Sequence, residues 1–303
     1  MRAKATDAGA AAGVFFAFAG LPAEPPPPLP VARYAPAAQL VAFGRPERLN
    51  LQSQVALVRD EREGVTLFAR EIDTPRPIAS LTKLMTALVV LEARQPLDAP
   101  LTITTDDRDR LKGTSSRLHY GAILTRRDLL RAALGASDNR AASALARHWP
   151  GGREAFVAAM NGKAELLGMT HTRFADASGL DPRNVSTARD LAKLLEAVGH
   201  EPLIAHYTTR GEMWVTDLAS GRPLDFFNTN RLTRIDGWDI QLSKTGYTAD
   251  AGNCLVMHIS VDGRPLSVVL LNSWGKHSKY GDAARIRDWL INTERRVTVA
   301  TTL

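Results

Sequence analysis

The sequence holds a single cysteine, Cys254. No intramolecular disulfide can form, and no cysteine-based metal cluster is possible. Aromatic residues make up only 6%. No Lys/Arg block interleaved with aromatics is present, so the net charge of +6 does not point to nucleic acid. No uninterrupted apolar run is long enough for a polytopic membrane protein. What is present is ordinary for a globular chain of 303 residues: 45% hydrophobic and 23% charged. This balance excludes a mostly disordered chain and a collagen-like repeat. The length predicts one large domain or two ordinary ones.

The first residues read as an address. Arg2 and Lys4 precede the uncharged residues 8–19, which contain Val14, Phe15, Phe16 and Phe18. Ala17-Phe18-Ala19 then supplies the small-x-small pattern of a signal-peptidase site. An export signal is expected over 1–23, and its uncharged stretch, residues 8–19, is too short to span a membrane as a helix. Residues 21–36 hold seven of the 17 prolines. They predict a semi-rigid polyproline spacer, a linker over 24–45. Folded structure is expected to begin near residues 45–52 and to occupy 46–295.

Apolar spacing divides the remainder into strand-like ends and a helical middle. Residues 54–58 and 66–68 predict a hairpin. Helical spacing follows over 81–93, 128–134, 140–148, 153–167 and 187–198, with Thr187 or Ser186 as N-cap of the last. After Gly237 the pattern returns to strands. One begins near Asp239, and two more, over 255–261 and 266–271, flank Asp262-Gly263, a two-residue hairpin signal. A final amphipathic helix is predicted over 282–293. Strands from both ends with helices between them imply an α+β fold: an antiparallel sheet built from both termini, with a helical lobe inserted.

Three short motifs carry chemistry. The first is Ser80-Leu81-Thr82-Lys83, at the start of the predicted helix. Residues i and i+3 share a helix face, so the Lys83 amine can reach the Ser80 hydroxyl. A serine is a weak nucleophile and needs an adjacent base. Lysine serves only if its pKa falls, and the helix start together with nearby cations is expected to lower it. The second is Ser137-Asp138-Asn139, in a turn between helices. Ser137 can relay a proton, and the Asn139 amide can hold both Lys83 and a substrate amide. The third is Lys244-Thr245-Gly246, on a strand edge. It offers fixed charge, a hydroxyl, and a glycine that lets a substrate backbone come close. Each alone is weak: Ser80 could be a helix cap, Ser137-Asp138-Asn139 a loop with a helix N-cap, and Gly246 a turn residue. S-x-x-K, S-x-N and K-T-G in this order form one constellation, shared by class A β-lactamases and penicillin-binding proteins.

The chain resembles a low-molecular-mass penicillin-binding protein of the D-alanyl-D-alanine carboxypeptidase/endopeptidase family, nearest the endopeptidase branch, the penicillin-binding protein 7 type. The resemblance covers residues 52–292. It rests on the three motifs, on residues 76–80 leading into 83–87, and on 139–142, Trp149-Pro150-Gly151-Gly152, 184–191, Asn228-Thr229-Asn230 and 241–246. It implies a β-lactamase/transpeptidase-like fold with a five-stranded antiparallel sheet flanked by helices. It implies that Ser80 attacks the D-Ala carbonyl of a peptidoglycan stem peptide while Lys83 takes its proton. Ser137 and Asn139 assist, and the backbone N–H groups of Ser80 and Tyr247 hold the oxyanion. Lys244, Thr245, Gly246 and Tyr247 bind the substrate. β-Lactams are the implied covalent inhibitors, the periplasm is the implied location, and no cofactor or metal is called for. No stable membrane span is expected after processing.

A class A β-lactamase needs a deacylating Glu in its Glu-x-x-Leu-Asn loop. Residues 171–175 contain none. The stretch after Gly246 is filled by strands and a helix, so no C-terminal β domain is expected, as in the endopeptidase branch. A carboxypeptidase trimming terminal D-Ala, and a penicillin-binding sensor without turnover, remain the alternatives. His200 to His206 has the wrong spacing for a zinc helix, and Pro202 is expected to spoil its face. Cys254 and the five tryptophans read as core or rim.

Overall fold

The computed structural model describes residues 34–302. The expected export signal lies outside the described residues, as does the proline-rich stretch through residue 33. The end of the expected linker is not a spacer. Ala37–Gly44 forms helix α1, with Leu40 fully buried. Pro36 precedes this helix, where its missing N–H costs nothing. The folded body therefore begins ahead of the expected 45–52.

The predicted first hairpin is β1 (Ser53–Asp60) and β2 (Thr66–Arg70). The short β3 (Arg76–Pro77) leads through a 3-10 turn, Ala79–Leu81, into α2 (Thr82–Glu92). The inserted lobe continues with β4 (Pro100–Thr102), β5 (Ile123–Thr125), α3 (Arg126–Gly135), α4 (Asn139–Arg147) and α5 (Gly152–Leu166). Then come β6 (Val185–Ser186), which pairs with β3, and α6 (Ala188–Gly199), capped by Thr187 as predicted. Helix α7 (Pro202–Thr209) corrects the expectation for Pro202: at the first helical position its fixed φ suits the helix. The hairpin β7 (Glu212–Thr216) and β8 (Pro223–Phe227) was not anticipated. The chain closes with β9 (Asp239–Thr248), β10 (Gly252–Val261), β11 (Arg264–Ser273) and α8 (Ser278–Thr302), the last longer than predicted.

The main sheet has the order β2-β1-β11-β10-β9 and is antiparallel throughout. Asp262 and Gly263 both take positive φ, 50° and 86°, as the tight turn between β10 and β11 demands. Strand alternation sends Val55, Leu57, Val256, Val269 and Leu271 into a core shared with the lobe. Ala56, Val58, Leu255, Met257, Val268 and Leu270 face the opposite core, under α1 and α8. Helix α2 runs through the first core, with residues 82–90 all buried. A helix apolar on every face belongs in an interior, and this one carries the motif Lys83 there.

Arg264 ties both ends of the folded body together. It is fully buried and donates to Asp60, to Glu294 at 2.8 Å and to the Ala35 carbonyl. Removing one partner of a buried ion pair strands the other charge without water. Arg264→Met is expected to cost about 3–5 kcal/mol in urea unfolding by leaving Asp60 uncompensated. An unchanged unfolding midpoint would show that the cluster contributes nothing.

Candidate active site

Ser80 sits on the 3-10 turn between β3 and α2. The residue before it, Ala79, has φ 47°, a conformation that costs a residue with a β-carbon. The turn is held from several directions. Thr82 Oγ1 donates to the Ala79 carbonyl at 2.8 Å, and the Ile78 N–H donates to the Asn184 carbonyl at 3.1 Å. Two glycines allow close packing against it. A Cβ on Gly179 would lie 1.9 Å from the Ala79 carbonyl oxygen, and one on Gly246 would lie 3.0 Å from that of Ile78. Gly246 was expected to admit a substrate backbone. Its measurable role is to let β9 abut the serine turn.

Lys83, the second residue of α2, is fully buried. Its amine donates to Ser80 Oγ at 2.9 Å, to Asn139 Oδ1 at 2.7 Å and to the Ser178 carbonyl at 2.7 Å. Burial lowers its pKa to about 8, while the more distant Asp176, Asp138 and Asp109 act in the opposite direction. The expected causes were the helix start and neighbouring cations; desolvation is the dominant one.

The second motif lies in the predicted turn, between α3 and α4. Ser137 adopts φ 59°. Asp138 caps α4 by accepting from the Ala141 N–H at 2.9 Å and also takes the Ser116 hydroxyl at 2.7 Å. The cap role thus falls to Asp138, which frees its neighbours: Ser137 points to Lys244 and Asn139 to Lys83. Asn139 Nδ2 donates to Thr114 Oγ1 at 2.9 Å.

The third motif occupies β9, an edge strand. The buried Lys244 amine donates to Ser137 Oγ at 2.8 Å, joining the second and third motifs. Burial, with the positive charge of Lys83 added, holds Lys244 well below the ordinary lysine range. Thr245 Oγ1 is 2.7 Å from Thr229 Oγ1. Tyr247 is exposed on the strand beyond. Cys254 pairs across from Gly246 and is fully buried, with burial pushing its thiol up to about 11, as fits a core residue.

All the motif residues therefore converge. Ser80, Ser137, Thr245, Gly246 and Tyr247 line one cleft of about 950 Å³, which continues to Arg231, Trp274, Lys279 and Tyr280. Asn139 and Ser178 border a separate cavity of about 260 Å³. Among the described residues no group of three or more His, Cys, Asp or Glu side chains is placed to hold a metal ion.

The motif search missed the loop around residues 175–181, whose Ser178 carbonyl holds Lys83. Asp176 organises it by accepting from the N–H groups of Ser178, Gly179 and Asp181. Asn184 locks it, accepting from the Ala175 N–H at 2.9 Å and donating to Asp176 Oδ1 at 2.7 Å. The turn-forming run Asp176-Ala177-Ser178-Gly179-Leu180-Asp181-Pro182 was its only sequence signal. Asn184→Ala is expected to slow acylation of Ser80 by a fluorescent β-lactam, the inhibitor class that the resemblance implies, by roughly 10–100-fold through displacement of Lys83. A folded variant acylated at the parental rate would show that the loop does not position the lysine.

Comparison with known proteins shows the family. Residues 42–275 match the family described as D-alanyl-D-alanine carboxypeptidase. The chain is 45% identical over 247 residues to a D-alanyl-D-alanine endopeptidase of Pseudomonas aeruginosa, covering 82% of this chain and 80% of that relative. It is 44% identical over 240 residues to the protein of that name in Escherichia coli, covering 79% and 77%. The solved structure of a Streptomyces DD-transpeptidase superposes with a TM-score of 0.74 at 27% identity, over 80% of this chain and 98% of that one. The chain therefore belongs to the D-alanyl-D-alanine carboxypeptidase family of serine peptidases, within the penicillin-binding proteins.

Proposed function

We propose that this chain is a periplasmic D-alanyl-D-alanine endopeptidase that hydrolyses D-Ala–diaminopimelate crosslinks of peptidoglycan through an acyl-enzyme on Ser80. The observation that carries the chemistry is the Lys83 amine, buried and 2.9 Å from the Ser80 hydroxyl. The names of the relatives at 45% and 44% identity support the endopeptidase preference. The export pattern at the N-terminus supports the location. Among the described residues no helix is long and apolar enough to cross a membrane.

In this reading neutral Lys83 takes the Ser80 proton as Oγ bonds to the D-Ala carbonyl carbon. The backbone N–H groups of Ser80 and Tyr247 face the developing oxyanion. As the intermediate collapses, the C–N bond breaks and the leaving amine takes up a proton by way of Ser137. Lys244 and Thr245 hold the carboxylate next to the scissile bond, and Asn139 holds the acyl side. Water then attacks the ester and releases the shortened stem, restoring Ser80. A β-lactam follows the same first step, and its opened ring stays attached because the leaving amine cannot depart.

A lysine base with a pKa near 8 is mostly protonated below that pH and mostly neutral above it. The acylation rate of Ser80 is therefore expected to rise about tenfold per pH unit on the acidic side and to level off above about 8. A flat profile there, with acylation rate-limiting, would remove Lys83 as the base.

The substrate is tested with the purified protein, crosslinked muropeptide dimers and a monomeric pentapeptide, read by mass spectrometry. Monomers from the dimer with little free D-Ala are expected, and Ser80→Ala should abolish both cleavage and penicillin labelling. D-Ala release with intact dimers would make the protein a carboxypeptidase. Penicillin labelling without turnover of either substrate would make it a sensor.

A further inference from the structure

The cleft does not end at the serine. Beyond Thr245 a run of contacts leads along its wall. Thr245 Oγ1 meets Thr229 Oγ1, and Tyr280 Oη donates to the Thr229 carbonyl at 3.0 Å. Two cations flank Tyr280, and a third, Lys276, lines the same cleft. The Arg231 guanidinium lies 4.8 Å and the Lys279 amine 5.1 Å from the centre of its ring. The charges of Lys276 and Arg231 both reach Lys279, whose pKa is lowered to about 8 by burial first and by these neighbours after it.

The three cations are not equally free. Lys279 is buried and donates to Asn253 Oδ1 at 2.9 Å. Arg231 and Lys276 are exposed. Among the described residues no carboxylate lines this cleft, and none pairs with Arg231 or Lys276. Helix α8 begins on the same wall with no acidic residue in its first turn. An 18-residue lining that contains three cations and no acid is a potential arranged for an anion.

The position tells which part of a substrate reaches it. In the proposed reading Lys244 and Thr245 take the carboxylate on the leaving side, and the contacts from Thr245 through Thr229 to Tyr280 connect the cationic end to that pair. A D-alanine leaving group carries one carboxylate, already placed on Lys244 and Thr245. The leaving peptide of a crosslink is longer and carries further carboxylates. We propose that Arg231 and Lys276, set beside Lys279 and Tyr280, bind a second carboxylate on the leaving peptide, so that this end of the cleft selects crosslinks over terminal D-Ala. The proposal rests on the peptidase reading above and adds the recognition element that this reading lacks.

The test uses the full-chain protein and two synthetic D-alanyl amides with identical acyl halves. Both leaving groups carry one carboxylate beside the scissile amide. One is extended by a glutamyl residue, the other by its neutral isostere glutaminyl. The glutamyl substrate is expected to show kcat/KM about tenfold higher at low salt, the ratio falling toward one as salt screens the exposed cations. Arg231→Ala combined with Lys276→Ala should collapse the ratio to about one, and Arg231→Glu should carry it below one. Equal rates for the two substrates in the parent protein, or a ratio that survives the double substitution, would overturn the proposal while leaving the peptidase reading intact. No cleavage of either amide, with penicillin still labelling Ser80, would overturn both.

Discussion

The amine of Lys83 is the point on which the site depends. A lysine in a protein interior gives up strong hydration and has to recover it from fixed acceptors. Here three acceptors come from three separate places: the Ser80 hydroxyl at its own helix start, the Asn139 amide at the start of α4, and the Ser178 carbonyl in the loop after α5. Asn139 and Ser178 are fixed by the lobe, and the sheet abuts the Ser80 turn, so the lobe and the sheet have to be assembled before the lysine can be accommodated. The same dehydration that makes the lysine expensive to bury makes it a usable base. Stability and reactivity are set by one burial.

A second lysine sharpens the constraint. Lys244 is buried too, and its amine donates to the Ser137 hydroxyl and to the Thr245 carbonyl. Two buried amines, Lys83 on Ser80 and Lys244 on Ser137, bring positive charge close together inside the protein. The proposed anionic substrate would offset that charge. The cationic wall toward Arg231 extends the same polarity along the cleft. The catalytic centre and its approach thus share one electrostatic sign.

Much of the scaffold is legible from local patterns. Short apolar runs placed β1, β10 and β11, and Asp262-Gly263 placed the turn between the last two, because only residue types that tolerate positive φ suit it. Thr187 announced its own helix by capping it. The β7–β8 hairpin was missed although Glu212-Met213-Trp214-Val215-Thr216 alternates in burial as a strand should. It is a short hairpin between α7 and β9, in a stretch to which the apolar spacing assigns no element. Helix α1 was missed because the prolines before it dominated the reading of that stretch. Its stability comes from packing under α8, with Trp289 Nε1 donating to the Gly44 carbonyl, a contact some 245 residues away in sequence.

By itself the sequence determined which side chains are proposed to do the chemistry: the order of three motifs singles out Ser80, Lys83, Ser137, Asn139, Lys244 and Thr245. It did so because side-chain type and helical spacing are local properties. Tertiary structure alone decided why Lys83 has a lowered pKa, since desolvation depends on everything packed around the amine and not on its neighbours along the chain. It also decided the part played by Ser178, whose contribution is a backbone carbonyl that every residue possesses and no motif can mark. The gathering of Arg231, Lys276 and Lys279 in one cleft beside Tyr280 is of the same kind. These residues come from segments on either side of the last three strands, and only the closing of the sheet makes them one surface.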